Sequence, residues 1–192
     1  MKSCKLQLYF LYLGILIIKT IKVMSYLSVS RKYSSFNSEL AKSEKNDCFV
    51  RALAVAADID YNTAHSTAKE VFLRKEKTGT SGVLIWSIFD KATKAGMKIG
   101  QKKVDVRVLG KAELKNKYKV KGEIIWRKKT LKSFIESNPR GRFIVTVAGH
   151  ALSVINGELQ DWDSMKFKPT RKVLSAYEIK PELEQPRQLS LF

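Results

Sequence analysis

The sequence predicts an α+β fold, with helices first along the chain and antiparallel strands after them. Between residues 46 and 96, apolar side chains recur every three or four positions, which is the period of a buried helix face. Further along, the pattern changes to short runs rich in valine, isoleucine and tyrosine, as in strands. The 192 residues are enough for one domain with short appendages, and we divide them into 1–23, 24–180 and 181–192.

Three helices are predicted in the first half of the domain. The first begins with Asn46 or Asp47 as its cap, and the second follows Asn62. The third is "GTSGVLIWSIFDKATKAG", in which Thr80 or Ser81 caps the start and the final glycine ends the helix. The apolar face of the first helix consists of Phe49, Ala52, Leu53, Ala56 and Ala57.

Strands dominate the second half of the domain. The runs "VDVRV" (104–108) and "EIIW" (123–126) are the first two, and a short helix follows from Thr130 to just before Asn138-Pro139. The segment "RFIVTVAGHALSVINGELQDW" is predicted to form a hairpin. Its turn is Asn156-Gly157, a pair typical of tight two-residue turns. The last strand is "KVLSAYEI".

Composition indicates an ordinary globular protein with an unusual charge. Hydrophobic residues make up 44% of the chain, but the net charge of +18 predicts attraction to polyanions. The alternative is a solvated lysine-rich surface without a partner. The two cysteines, Cys4 and Cys48, and the two histidines, His65 and His150, form no disulfide framework and have no zinc spacing. We therefore expect a reducing compartment and neither metal nor cofactor.

Residues 1–23 differ in character from the rest. An apolar run from Leu6 to Ile18 is flanked by lysines, and its thirteen residues are too few to span a bilayer as a helix. Three interpretations stay open. Translation begins at Met24, or the segment is directed to a membrane, or it forms a buried N-terminal helix.

Cys48 lies in the first turn of its predicted helix. The free N–H groups and the helix dipole stabilise a thiolate there, which lowers the pKa of a thiol. A thiolate attacks carbonyl carbon, so Cys48 is a candidate nucleophile. The alternative is a buried structural cysteine.

The predicted hairpin gives this cysteine a partner. With a two-residue turn at Asn156-Gly157, His150 lies directly opposite Asp163, close enough for a carboxylate to orient the imidazole. Asp161 is the diagonal neighbour on the same face and the reserve candidate. His65, on a helix among polar residues, is expected to be exposed to solvent.

Cysteine at a helix start, then histidine on a strand, then a carboxylate on the next strand, is the chain order of papain-like cysteine peptidases. Residues 45–179 resemble in particular the small papain-like (C39-like) peptidase-fold proteins that bacteriophages carry. The matching stretches are "NDCFVRALAVA", "GRFIVTVAGHALSVINGELQ" and "DWDS".

The resemblance implies a papain-like fold and acyl transfer, most often hydrolysis of a peptide or isopeptide bond. It implies Cys48 as nucleophile, His150 as general base and then acid, and Asp163 as the orienting group. Papain-like enzymes commonly place an oxyanion-stabilising glutamine six residues before the cysteine, where this chain has Lys42. Asn46 and the backbone N–H of Cys48 are the candidate donors instead.

A basic region lies between Lys98 and Lys132. It contains thirteen lysines and arginines against three acidic residues, with Tyr118 and Trp126 interleaved. Such a region can contact phosphates and stack on bases, so we expect sequence-nonspecific attraction to nucleic acid. The alternative is a solvated strand edge that lysines protect against aggregation.

The last five residues resemble the pentapeptide with which bacterial replication and repair proteins bind the DNA sliding clamp. Leu191 and Phe192 would fill an apolar pocket, contributing about 3–5 kcal/mol before ordering costs. A flexible tail would deliver the peptide. The alternative is a C-terminal strand, which Pro181 and Pro186 oppose. The five residues are Gln188, Leu189, Ser190, Leu191 and Phe192.

Together these features predict a phage-encoded thiol peptidase or amidase tethered to the bacterial sliding clamp in the host cytoplasm. The alternative is a non-catalytic clamp-binding protein that inhibits or redirects host DNA replication. A third class, a cell-wall amidase exported through residues 1–23, conflicts with a clamp-binding tail.

Overall fold

The structure, a computed structural model, describes residues 38–161 and 168–181. Helices precede a mainly antiparallel sheet along the chain, so the predicted α+β class is confirmed. Both the N-terminal apolar segment and the C-terminal pentapeptide lie outside the described residues.

Five helices are described. The helix at the start, α1, was not predicted, whereas the other four occupy the segments in which helical patterns were recognised. Gly96, with a φ of 65°, caps the C-terminus of α4 as expected. The bounds are α1 Glu39–Ser43, α2 Cys48–Ala57, α3 Tyr61–Glu70, α4 Gly82–Ala95 and α5 Leu131–Ser137.

Eight strands form two sheets within the described ranges. Six of them make one antiparallel sheet in the order β1-β2-β8-β5-β6-β7, and β3 pairs with β4 alone. The bounds are β1 Met97–Ile99, β2 Lys102–Val108, β3 Lys115–Val120, β4 Glu123–Lys128, β5 Arg142–Val147, β6 His150–Ile155, β7 Glu158–Gln160 and β8 Ser175–Pro181.

The six-stranded sheet separates two hydrophobic cores. Helices α2, α3 and α4 bury their apolar sides against one face, where Phe49, Phe72, Phe89 and Tyr177 form a cluster of aromatic contacts. Helix α5 covers the other face, and its Phe134 packs edge-on against a phenylalanine of β5. Because both faces are covered, successive residues of the central strands are buried without alternation, as in 143–145 of β5 and 151–154 of β6.

Helix α2 lies along β6 and is held to the sheet at several points. The backbone N–H of Ala151 donates to the Cys48 sulfur, and the Ser153 hydroxyl donates to the Ala52 carbonyl at 2.7 Å. Four helical residues and two strand residues both advance about 6 Å, so the two elements stay in step. The helix start is therefore fixed against the start of β6.

The C-terminal end of α2 is held by Arg142, the first residue of β5. Its guanidinium donates to the carbonyls of Val55 and Ala56 at 2.6 and 2.7 Å. A cation at this end is also favourable for the helix dipole. Both ends of the cysteine-bearing helix are thus attached to neighbouring strands.

Strand β1 was not predicted, and three further details differ from the sequence predictions. The stretch 142–155 is two paired strands rather than one, because Ala148-Gly149 makes a turn and Gly149 has a φ of 70°. Strand β3 was missed because "KNKYKV" has no apolar face to mark it. Strand β8 continues to Pro181, one residue beyond the predicted tail boundary.

Within 38–161 and 168–181, no helix is long and apolar enough to cross a membrane.

Candidate active site

Cys48 is the first residue of α2 and is half-buried. Its sulfur accepts hydrogen bonds from the backbone N–H groups of Phe49 and Ala151, and it is hydrogen-bonded to the ring of His150. Two of these partners come from β6, more than a hundred residues further along the chain. The structure therefore brings the predicted nucleophile and the predicted base together.

His150 is the first residue of β6 and directly follows the Ala148-Gly149 turn. In this turn only Gly149 has a positive φ, a backbone conformation in which glycine is not strained. The Arg171 guanidinium donates to the Ala148 carbonyl and braces the turn. A short, braced connection leaves the imidazole little freedom to move away from the thiol.

The carboxylate that holds the imidazole is that of Asp161. Its Oδ2 lies 2.8 Å from His150 Nε2, and the Asp161 side chain is almost fully buried. The predicted register of the Asn156-Gly157 turn is present, with Ser153 opposite Gln160. Asp163, the first candidate, lies outside the described residues, so the observed contact belongs to the reserve candidate.

Cys48 approaches His150 and Asp161 from the opposite side of the sheet. The register places His150 and Asp161 on the side of the sheet that carries Leu152 and Leu159, which is the α5 side. Cys48 belongs to a helix packed on the opposite side. They meet at the end of the sheet where β6 begins.

Electrostatics favour a charged pair of Cys48 and His150. Burial alone raises the pKa of the Cys48 thiol, but hydrogen bonds from His150, Ala151 and Phe49 and the imidazolium charge lower it further, to below its usual value. Burial alone lowers the pKa of His150, but hydrogen bonds and charges from Asp161 and Cys48 raise it to about 9. A thiolate beside an imidazolium is the expected form near neutral pH.

Asn46, the predicted oxyanion donor, is exposed and has a φ of 55°. Its Nδ2 donates to the Lys77 carbonyl at 3.2 Å, which uses one of the two N–H groups of the amide. Lys42, the residue at the usual glutamine position, is exposed and paired with Glu39. The Cys48 backbone N–H, in the first turn of α2, is not required by the helix itself and is directed to the helix start.

Asp47, which precedes the cysteine, takes part in a buried network that sequence reasoning missed. Its Oδ2 accepts hydrogen bonds from Arg51 Nε at 2.9 Å and from the Tyr61 hydroxyl at 2.7 Å. Arg51 also lies over the Tyr61 ring and donates to the Ala41 carbonyl. The four-residue spacing of Asp47 and Arg51 was the only signal in the sequence. This network fixes the residue next to the nucleophile.

A second buried network precedes it along the chain. Glu44 accepts a hydrogen bond from Arg74 at 2.6 Å, and its other oxygen lies 3.4 Å from His65 Nε2. His65 is only 7% exposed, so the prediction of a solvent-exposed histidine is wrong. It was misjudged because the polar neighbours of His65 hid a buried charged partner. Arg74 also donates to the Lys45 carbonyl, which anchors the segment leading to α2.

A cavity in the described part of the chain is separate from Cys48 and His150. This cavity of about 480 Å³ lies between α3 and the β1–β2 turn and is lined by Thr63, Thr67 and Lys98 among others. Among described residues, no group of three or more histidine, cysteine, aspartate or glutamate side chains is arranged to hold a metal ion.

Comparison of the chain with family models, with curated proteins and with solved structures gives no match in any of the three.

Proposed function

We propose that this protein is a cysteine peptidase or amidase with a papain-like domain. The observation that carries the proposal is the hydrogen-bonded series Cys48–His150–Asp161, in which a helix N-terminus, an imidazole and a buried carboxylate follow one another. The lowered thiol pKa and the raised imidazole pKa are the shifts that an activated thiol needs. A structural cysteine has no need of such partners.

In the first step, the Cys48 thiolate attacks the carbonyl carbon of a peptide or isopeptide bond. A C–S bond forms while the carbonyl π electrons move to oxygen. The Cys48 backbone N–H and the remaining N–H of the Asn46 amide are the proposed donors to that oxyanion. The imidazolium of His150 then gives its proton to the leaving nitrogen as the C–N bond breaks, which releases the amine and leaves a thioester.

In the second step, neutral His150 removes a proton from a water molecule that attacks the thioester carbonyl. The C–S bond breaks, the acid is released and the thiolate–imidazolium pair is restored. Asp161 keeps the ring oriented through Nε2 in both steps, so we infer that Nδ1 is the nitrogen that exchanges protons. Asp161 is thus proposed for the role first expected of Asp163.

A mechanism-based probe tests this function. A peptidyl vinyl sulfone should add once to the protein and carry its label on Cys48, as found by mass spectrometry of digested protein. Cys48→Ser should lose the label, and Cys4→Ser should keep it because Cys48 is the proposed nucleophile. If Cys4→Ser is labelled no faster than the same protein unfolded in denaturant, the proposal fails.

The C-terminal pentapeptide supports a second proposed function, binding of the bacterial sliding clamp. The motif matches at all five positions, Gln188 to Phe192, and follows a polar segment with Pro186. An extended peptide of this kind places its apolar side chains in a surface groove while the domain stays free. Clamp binding would put the protein in the cytoplasm of a bacterium, as expected of a phage-encoded protein.

Two deletions test the tail. Removal of residues 188–192 should abolish binding to a purified bacterial sliding clamp in calorimetry. Removal of residues 182–187 shortens the connection but keeps the motif, and should retain binding. Equal affinity of both deletions and the full chain would refute the assignment. Cys48→Ala then separates the alternatives, because a non-catalytic clamp inhibitor keeps its effect on host replication without the thiol.

A further inference from the structure

The hairpin of β3 and β4 stands apart from the main sheet. Within the described ranges these strands pair only with each other, and each of their residues is exposed or half-buried. The hairpin is anchored at its base, where the Lys129 N–H donates to the carbonyl of buried Leu114 at 2.8 Å. At its tip, Lys121 and Gly122 both have positive φ, as in a type I′ turn.

The register divides this hairpin into two unlike faces. Opposed residues point to the same side of a pair of strands, and the opposed pairs alternate between the sides. On one side, which we call the lysine face, every side chain is exposed and four of six are lysines. The lysine face consists of Lys115, Lys117, Lys119, Ile124, Trp126 and Lys128.

The opposite side has a different character. Tyr118 is engaged there by its neighbours, because Asn116 Nδ2 donates to its hydroxyl at 3.3 Å and the Arg127 guanidinium lies 5.9 Å from the ring centroid. Glu123, the only acidic residue in the two strands, is also on that side, opposite Val120. The lysine face therefore has four ammonium groups and no carboxylate, next to a tryptophan.

One pair on the lysine face opposes the pairing of the two strands. Lys115 lies directly opposite Lys128, and like charges at such positions repel. Trp126 and Ile124 are 54% and 55% exposed, so much of their apolar surface remains in water. Protection of a strand edge accounts for lysines, but it does not account for an exposed tryptophan between them.

We propose that the lysine face binds single-stranded nucleic acid, with its lysines on successive phosphates and a base stacked on Trp126. Lysines two residues apart along a strand repeat every ~7 Å, close to the distance between neighbouring phosphates of an extended nucleic-acid strand. An indole ring stacks on any base, so this binding would not depend on sequence. This inference goes beyond the proposed function and does not depend on it.

The arrangement favours a single strand over two other polyanions. Stacking needs an unpaired base, which a duplex does not offer. An anionic membrane would attract the same charges, but interfacial binding segments separate their apolar and charged sides. Here Trp126 lies directly opposite Lys117 and two residues before Lys128, so burial of the ring in lipid would also draw ammonium groups toward the lipid. A single strand can place phosphates on the row of lysines in β3 and a base on Trp126 in the neighbouring strand.

Fluorescence anisotropy of a labelled oligodeoxythymidine tests the inference with the full chain at several salt concentrations. Trp126→Ala should weaken binding by about tenfold, the range expected for one stacked base. Replacing both Lys117 and Lys119 by glutamine should reduce the slope of log Kd against log salt by about 1.4, or about 0.7 for each phosphate that is no longer neutralised. Thermal unfolding of the variants serves to confirm that they are folded.

Matched controls distinguish binding by the lysine face from general attraction to the positive charge of the protein. Tyr118→Ala removes an aromatic ring from the opposite face, and Lys91→Gln with Lys94→Gln removes two exposed lysines from α4. Both should bind within about twofold of the natural chain. Losses as large as those of the lysine-face variants would overturn the proposal. It is also overturned by equal affinity for a blunt duplex, or by Trp126-dependent binding to phosphatidylglycerol vesicles without binding to the oligonucleotide.

Discussion

The hydroxyl of Ser153 donates to the carbonyl of Ala52 at 2.7 Å, deep between helix α2 and strand β6. Ser153 is fully buried, and Ala52 is also in the core. One helical turn before Ala52 is Cys48, and at the start of the same strand is His150. This hydrogen bond therefore sets the register between the element that carries the thiol and the element that carries the imidazole.

Ser153→Ala should lower both stability and thiol reactivity. Loss of one buried hydrogen bond is expected to reduce the free energy of unfolding by about 1 kcal/mol. One of the attachments that align the helix with β6 is then lost, so alkylation of Cys48 near neutral pH should slow. Thr93→Ala is the control, because its hydroxyl donates to the Phe89 carbonyl within α4. It should leave alkylation unchanged, and an unchanged rate in Ser153→Ala would contradict the register argument.

Arg142 is expected to contribute more than an exposed arginine does. Arg142→Ala removes two hydrogen bonds to the end of α2 and a favourable charge, so denaturant unfolding should show a loss of about 1–3 kcal/mol. Arg142→Lys keeps the charge but not the paired donors and should be intermediate. Arg107→Ala, which breaks exposed pairs with Glu113 and Glu178, should cost less than about 1 kcal/mol. Equal losses of unfolding free energy in Arg142→Ala and Arg107→Ala would contradict this expectation.

Asp161→Asn should release the imidazole from its charged partner. The pKa of His150 is then expected to fall from about 9 toward its ordinary value, which an NMR titration of its ring proton measures. The resonance is identified by its loss in His150→Ala. Asp163→Asn makes the same chemical change two residues away and should leave the titration in place. The opposite pattern would assign the orienting role to Asp163.

The charged pair should also give the fold a pH-dependent stability. The pKa of His150 is raised, so its contribution is complete below about pH 6.5 and is lost as pH rises through about 9. The pKa of Cys48 is lowered, so its contribution is present above the usual thiol pKa and is lost as pH falls through the folded value. Because each charge needs the other, the pair stabilises most between the lowered thiol pKa and about 9.

Denaturant unfolding at several pH values checks this window. The difference in unfolding free energy between the natural chain and a double variant, Cys48→Ala with His150→Ala, should be largest near neutral pH. It should shrink by about 1–3 kcal/mol toward strongly acidic and strongly alkaline solution. A difference that is the same at all pH values would mean that the two groups are neutral in the fold.

Local patterns predicted much of the fold. The helical spacing of Phe49, Ala52 and Leu53 identified α2, and a short helix was correctly expected to start at Thr130. Asn156-Gly157 fixed the turn, which has the predicted register. These features succeed because each depends on residues close in sequence. Strand β3 failed because both of its sides are exposed, so its side chains carry no alternating pattern.

The site was less accessible to prediction because its contacts are long-range. Placement of Cys48 at a helix start and of His150 on a strand could be inferred, but the Ser153–Ala52 bond that aligns them could not. A break in the assumed strand at Gly149 was also missed. His65 was misjudged for the same reason, since Glu44 and Arg74 become its neighbours only after folding.

The central claim is that Cys48 and His150 form a thiolate–imidazolium pair. The most direct test is the pH dependence of iodoacetamide alkylation in a Cys4→Ser chain, where Cys48 is the remaining thiol. We expect rapid alkylation well below pH ~8, and a shift of the profile to higher pH when His150 is replaced by alanine. A profile centred on the ordinary thiol pKa of about 8.5, and unchanged by that replacement, would contradict it.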